Sequence, residues 1–311
     1  MAAVRRALAH ASQLARIPYL KATVTPVLVG GAVAWSEGTF YPWLWLLTLF
    51  TALLLDAGKN LSNDYFDHVK GVDEAHYVLT PFSGGGRGIQ DGIVTPRQML
   101  LLAIATYLVV VAIGLWLAAT RGWLLLAIGA IGILLAVTHN GPPFWLYYRA
   151  TGLGQIAVAL GFGPLMVLGT YYVQAQQLGW TAFWASLPVA ALVASVLTIN
   201  EYPDRKGDAQ AGKKTPVVVW GTRRTVWLYG ALLATAYVLM ILGVVVGLMP
   251  VYTLIALLSV PLAVRCVHGA WENHDDVQRL IPTNALTGMN YLLNGLLLSV
   301  GFIASRLLGR F

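Results

Sequence analysis

Residues 56–73 read D-A-G-K-N-L-S-N-D-Y-F-D-H-V-K-G-V-D and follow an apolar run at 44–55, L-W-L-L-T-L-F-T-A-L-L-L. At 3.6 residues per turn, Asp56, Asn60, Asn63 or Asp64, and Asp67 recur at three- and four-residue steps and share one helix face. A helix that is lipid-soluble at its start therefore carries an acidic stripe at its end. Ionisable side chains at membrane depth are costly to desolvate and face a protein interior or a water-filled cavity, which makes the stripe a candidate site. Asp56, one to two turns inside, is expected to pair with Lys59 or Asn60 and orient the groups nearer the end.

Composition agrees with a membrane setting. The chain has 311 residues, 58% hydrophobic and 11% charged, against roughly 25% charged in a soluble domain. Nine apolar stretches approach the roughly 20 residues needed to cross a bilayer: Pro18–Trp35, Trp43–Leu61, Met99–Ala119, Trp123–Val137, Leu153–Tyr172, Trp180–Ile199, Val226–Leu248, Val251–Val267 and Leu286–Leu307. The fold class expected is all-α, a polytopic bundle of about nine transmembrane helices, with a cap over the acidic motifs and one domain spanning 1–311. Residues 1–16 are basic and lack a small-residue cleavage pattern, so they are expected to stay on the side of synthesis.

The loops after helices one, three, five and seven hold a single basic residue, Arg121, whereas most other Lys and Arg lie in the alternate loops. This asymmetry places the amino terminus and the acidic motifs on the cytoplasmic side, and the membrane expected is a bacterial inner membrane. The net charge of +7 then reads as topology and not as a nucleic-acid footprint. Cys266 is the single cysteine, which excludes an intrachain disulfide and a cysteine-rich metal centre. The six histidines are scattered without paired-ligand spacing, leaving a hard cation on oxygen ligands as the metal the chain can support.

The stripe has an echo. Asn63-Asp64-Tyr65-Phe66-Asp67 and Asn200-Glu201-Tyr202-Pro203-Asp204 both fit N-[DE]-Y-x-D, end helices two and six, and are followed by Asp73 and Asp208. An even number of helices separates them, so both emerge on one face, as in a parallel internal repeat. Asp64 and Asp67 are one turn apart, and Asp204 and Asp208 are spaced i, i+4, so each pair can present oxygens in one direction. The alternative is a solvated acidic loop.

Lys59 and Lys70 interleave with the first cluster, and Arg205, Lys206, Lys213 and Lys214 with the second. That mixture suits a diphosphate held with a divalent cation, although the positive-inside rule alone also places basic residues there. Ser83-Gly84-Gly85-Gly86-Arg87-Gly88 offers backbone amides to an anion, or a mobile lid. Gly141-Pro142-Pro143, Tyr147-Tyr148-Arg149 and Gly152-Leu153-Gly154-Gln155 form another connection on that face, where Arg149 could meet an anionic substrate and the tyrosines could equally be an interfacial belt.

The paired motifs N-D-Y-F-D-H-V-K-G-V-D and N-E-Y-P-D-R-K-G-D, on helices two and six of nine, resemble the UbiA superfamily of intramembrane prenyltransferases. A-R-I-P-Y-L-K-A-T-V-T-P-V-L-V-G, G-G-G-R-G, Y-Y-R-A-T-G-L-G-Q, F-G-P-L-M-V-L-G-T-Y-Y-V-Q and A-G-K-K-T-P-V-V-V-W-G resemble its 1,4-dihydroxy-2-naphthoate polyprenyltransferase branch, over roughly Arg16 to Gly221. The resemblance implies Mg²⁺-dependent transfer of a chain from polyprenyl diphosphate to an aromatic acceptor in menaquinone biosynthesis, inside a lipid bilayer. It implies Mg²⁺ held by Asp64, Asp67, Asp73, Asp204 and Asp208, with the amides of Asn60, Asn63 and Asn200, and a leaving group neutralised by Lys213 with Lys59 or Lys214. Lys21, Lys70, Arg87, Arg149 and Arg205 would complete the substrate contacts. Two departures stand out: Gln155 where the branch usually has an acid, and the wording N-E-Y-P-D. Other acceptors remain open, namely 4-hydroxybenzoate, homogentisate and chlorophyll- or haem-type molecules. So does a transporter or channel, which requires polar residues spread through several helices at mid-depth.

Overall fold

All nine apolar stretches fold as helices in the computed structural model, which describes residues 10–72, 80–82 and 85–309. They are α1 (Ile17–Ser36), α2 (Pro42–Val69), α3 (Pro96–Arg121), α4 (Leu124–Thr138), α5 (Leu153–Ala175), α6 (Trp180–Gln210), α7 (Thr222–Val245), α8 (Val251–Asn273) and α9 (Val277–Leu308). Among the described residues seven of them are long and apolar enough to cross a membrane, and α1 and α4 supply two shorter apolar helices. Proline in the first turn starts α1, α2 and α3, where its missing N–H is not needed. Thr95 and Gln98 close a capping box on α3.

The helices carrying the acid motifs are longer than hydropathy predicts. α2 runs past Leu61 to Val69, and α6 past Ile199 to Gln210. Apolarity stops at the first carboxylates, but the backbone ladder does not, because those carboxylates turn into the bundle. α5 is interrupted by a π-turn at Gly161–Leu165, around Pro164, and α8 begins as a 3₁₀ segment over Val251–Ser259.

α1 and α6 form the centre, α1 lying against α9, α5, α2 and α6. α1 carries one internal proline, Pro26, and α6 carries two, Pro188 and Pro203, and an internal proline leaves the carbonyl four residues earlier without its helical donor. For Pro26 that carbonyl belongs to Ala22, and the Tyr291 hydroxyl donates to it at 2.8 Å. For Pro203 it belongs to Ile199, and Asn284 Nδ2 donates to it at 3.0 Å. Both donors come from α9, so the last helix meets the carbonyls freed by Pro26 and Pro203, as a lipid-embedded backbone requires. α9 also joins α7 and α8 through uncharged polar contacts, Tyr237 hydroxyl to Asn290 Oδ1 at 3.0 Å and Asn294 Nδ2 to Ser259 Oγ at 3.0 Å.

The basic residues at the opposite end have local work. Arg121 donates to the Val173 and Gln174 carbonyls, at 2.7 and 2.8 Å, where α5 ends, and Arg306 donates to the Trp35 carbonyl near the end of α1. Both cap carbonyls that a helix terminus leaves orphaned.

Candidate active site

The acidic stripe of α2 is buried along its length at Asp56, Asn60, Asp64 and Asp67, and α6 buries Glu201 and Asp208. A cavity of about 210 Å³ lies between the two helices, walled by Asn60, Asn63 and Asp67 on one side and Asn200, Asp204 and Asp208 on the other. The two motifs of the internal repeat thus face each other across one space, not solvent.

Lys213 joins them. It follows α6 in a turn closed by its amide on the Asp208 carbonyl at 2.9 Å, while the Lys214 amide bonds the Tyr147 carbonyl at 2.7 Å. The buried Lys213 ammonium lies 3.0 Å from Asp67 Oδ1 and 3.3 Å from Asp208 Oδ1. Burial alone would lower its pKa, but the Asp67 and Asp208 carboxylates hold it above the ordinary ammonium value.

Asp64 sits differently from Asp67. Its carboxylate pairs with the Arg16 guanidinium, and the Gly86 amide donates to both its oxygens at 3.1 Å. The glycine-rich loop therefore does bring an amide to an anion, and the anion is Asp64. A Cβ on Gly86 would fall 2.4 Å from Asp64 Oδ2, so only glycine allows this approach. Gln13 Nε2 holds the loop through the Gly86 carbonyl at 3.0 Å. Arg16, with left-handed φ of 52°, lines the cavity where Asp64 stands behind it. Asp73, Ser83 and Gly84 lie outside the described residues.

Asp56 pairs with Lys59 at 2.6 Å and accepts from Thr23 at 2.7 Å. Lys59, Lys213 and Arg16 are the Lys and Arg side chains on the cavity wall among the described residues. The structure leaves the other basic candidates off that wall. Lys21, Lys70, Arg149, Arg205 and Lys214 are exposed. Lys70 lies over the rings of Trp145 and Tyr148 at 4.6 and 5.5 Å, Arg87 stands 3.7 Å from Asp91, and Arg149 Nε donates to the Phe144 carbonyl at 3.1 Å.

Several cavity residues escape sequence reasoning. Asn140 Nδ2 donates to both oxygens of Asp67 at 3.2 Å. His139 packs edge-on against Tyr147, with ring centroids 4.3 Å apart. Burial, then the charges of Lys59 and Lys213, lower the His139 pKa to about 3, so the imidazole is neutral. Burial and the neighbouring Glu201 push the Tyr147 phenol well above its usual value. The signal for His139 and Asn140 was their position directly after the apolar run of α4. The two departures from the family wording also meet here, since Gln155 Nε2 donates to both carboxylate oxygens of Glu201, at 2.8 and 2.9 Å.

Among the described residues no three acidic, histidine or cysteine side chains converge as a ready metal cage. What the cavity offers is several carboxyl groups, of which Asp56 pairs with Lys59 and Asp67 and Asp208 share Lys213, and a buried Asn140 Oδ1 with no hydrogen-bond partner. That donor set, all oxygen and incomplete, fits a Mg²⁺ ion that takes one or two carboxylates and completes its shell with phosphate and water.

These features define a multi-pass integral membrane protein with a buried acidic cavity at one end of its bundle. The chain belongs to the UbiA prenyltransferase family, which it matches over residues 23–293. It is 35% identical to the 1,4-dihydroxy-2-naphthoate octaprenyltransferase of Mycobacterium tuberculosis, with 90% of this chain and 91% of that protein covered. It is 29% identical to the protein of the same description from Bacillus subtilis, with 94% and 92% covered. In fold it is similar to a UbiA homolog from Archaeoglobus fulgidus, solved bound to DMAPP and Mg²⁺, with a TM-score of 0.67, 16% identity, and 93% of this chain and 99% of that one covered.

Proposed function

We propose that this chain, acting as one domain, transfers a polyprenyl group from a polyprenyl diphosphate to 1,4-dihydroxy-2-naphthoate, with Mg²⁺, in menaquinone biosynthesis. The observation that carries the reading is a row of adjoining cavities that runs from acid to oil. The polar cavity shares Asp56, Lys59, His139 and Phe162 with a narrow neck, and the neck shares Leu55 and Gly161 with an apolar cavity of about 700 Å³ between α2, α3, α4 and α5. A molecule with an anionic head and a long hydrocarbon tail matches that row in both chemistry and order.

Asp67, Asp204 and Asp208 present oxygens toward the head; Asp64, behind Arg16, would join the metal-binding set if Arg16 turned to the diphosphate, and Asp73, outside the described residues, is its further proposed member. Bound Mg²⁺ would neutralise the diphosphate and make it a better leaving group. Lys213, Lys59 and Arg16 supply fixed positive charge where negative charge grows as the allylic C–O bond breaks. Asn60, Asn63 and Asn200 orient the head, and the apolar walls keep water from the cation. The acceptor ring then attacks, and loss of its carboxylate accompanies transfer. The membrane proposed is a bacterial inner membrane, and the charge asymmetry of the loops supports this chamber opening to the cytoplasm.

The test is to incubate membranes containing the protein with labelled farnesyl or longer diphosphate, Mg²⁺ and a panel of aromatic acids, and to identify products by mass. A prenylated naphthalene product is expected. Prenylation of 4-hydroxybenzoate or homogentisate alone would move the assignment to another acceptor, and cation flux in proteoliposomes with no prenylated product would overturn it.

A further inference from the structure

Between the polar and apolar cavities the neck is about 60 Å³ in volume, and Phe162 lines both the neck and the polar chamber. If the diphosphate lies by Asp67 and Lys213 and the chain lies in the apolar cavity, the first carbons of the donor lie in this neck. Those are the carbons that become positive when the C–O bond breaks. Among the described residues the neck walls hold one carboxylate, Asp56, and it is engaged by Lys59 and Thr23. They also hold an aromatic ring.

The Phe162 ring is set in place by its backbone. It lies in the π-turn of α5, a geometry that re-aims a side chain at the expense of one regular hydrogen bond. Next to it, a Cβ on Gly163 would come 2.5 Å from the Cβ of Ala190, so the turn is pressed onto α6. On its other side, a Cβ on Gly161 would meet nothing within 4 Å, which leaves the passage beside the ring clear. A cation already lies over the ring: Lys59 Nζ is 5.3 Å from its centroid. The negative face of a ring quadrupole attracts an ammonium and a carbocation for the same reason.

We infer that the Phe162 ring is the face against which the allylic cation forms. The inference rests on the prenyl-transfer reading. The C1–O bond breaks heterolytically, its electron pair leaves on the diphosphate oxygen, and the positive charge is shared by C1 and C3 over the ring. A π pair of the acceptor then forms the new bond to C1. The attacked carbon releases carbon dioxide from a carboxylate, or a proton where it carries hydrogen, and that bond's pair stays in the acceptor ring. Phe162 gives and takes no electrons.

The experiment compares wild-type enzyme with Phe162→Leu and with a series carrying one, two or three ring fluorines on Phe162, introduced by unnatural-amino-acid incorporation. The donor is farnesyl diphosphate, the acceptor 1,4-dihydroxy-2-naphthoate, and kcat and KM are measured separately. Fluorine drains the ring face while nearly preserving its shape. Stepwise decline of log kcat along the series is expected, reaching about 10- to 30-fold, with KM for the donor within about 3-fold. Phe162→Leu should fall at least as far as the most fluorinated ring. A flat fluorine series overturns the inference, and if Phe162→Leu alone is slow, the ring serves packing only. Should Phe162→Leu fail to fold, the fluorine series decides by itself. Wild-type protein that prenylates no aromatic acceptor removes the transfer reading and this inference together, a result distinct from an active enzyme with a flat series.

Discussion

The Lys213 ammonium stands 3.0 Å from the Asp67 carboxylate, and this pair ties the end of α2 to the turn after α6. Lys213 also holds Asp208 at 3.3 Å. Removing the ammonium in Lys213→Ala leaves two buried carboxylates facing each other, a loss of about 3–5 kcal/mol for breaking a buried pair. The unfolding midpoint in detergent should fall, kcat should fall roughly 100-fold, and added Mg²⁺ should raise the midpoint of the variant more than that of the wild type. Wild-type thermal stability in Lys213→Ala would show that the charge is compensated elsewhere.

Asn140 holds Asp67 from the opposite side through both carboxylate oxygens. Asn140→Ala removes that orientation without removing a charge. A drop of about 10- to 100-fold in Mg²⁺ affinity or activity is expected, as for other groups that position a ligand. Titration of activity against Mg²⁺ concentration measures it, and an unchanged curve would assign Asn140 to packing.

Gln155 and Glu201 meet as two buried side chains, the amide donating to both carboxyl oxygens. Gln155→Glu places a second carboxylate within hydrogen-bonding distance and should destabilise the protein. Adding Glu201→Gln should restore it, with a coupling of about 1–3 kcal/mol in the double-mutant cycle. Additive effects in thermal unfolding would mean the two side chains do not interact.

His139 titrates at about 3 in the folded protein against an ordinary 6.5. Between those values the unfolded chain holds more protons, so stability rises with pH across the window. The contribution is whole above about 6.5 and is lost as pH falls toward 3. His139→Asn should therefore lose less stability than wild type between pH 7 and pH 5. Parallel pH curves for the two proteins would show that His139 titrates normally.

Asn284 donates to the Ile199 carbonyl freed by Pro203 and to Asn200 Oδ1 at 2.8 Å. Asn284→Leu leaves that carbonyl unmet, a loss of about 1–2 kcal/mol, and frees Asn200 on the chamber wall. Lower thermal stability with a raised KM for the donor is expected. A change in stability with unaltered KM would limit Asn284 to backbone repair.

What could be read from the sequence followed from periodicity and repetition. The nine spans stand out because an unbroken apolar run near twenty residues has few other uses, and the shared face of Asp56, Asn60, Asp64 and Asp67 follows from helical spacing alone. Depth did not follow. Hydropathy ends α2 and α6 where carboxylates begin, although burial in a chamber lets both helices continue to Val69 and Gln210. Nor does a count of basic residues distinguish Lys213, enclosed between carboxylates, from Lys214 beside it, which is exposed. Asn140, His139 and Glu201 depend on contacts between helices remote in sequence, for which one chain carries no local signal. The final three helices read as plain hydrophobic filler, yet the amides and hydroxyls of α9 are placed to meet defects in α1 and α6.

That placement bears on how the protein is made. α1 and α6 both precede α9 along the chain, and among the described residues the carbonyls freed by Pro26 and Pro203 are met from α9, through Tyr291 and Asn284. For most of its synthesis the inserted chain therefore holds every acid of its chamber on helices that are not yet settled against one another. A nascent chain halted before Asn284 would hold the acids proposed for the site yet lack both of these hydrogen bonds.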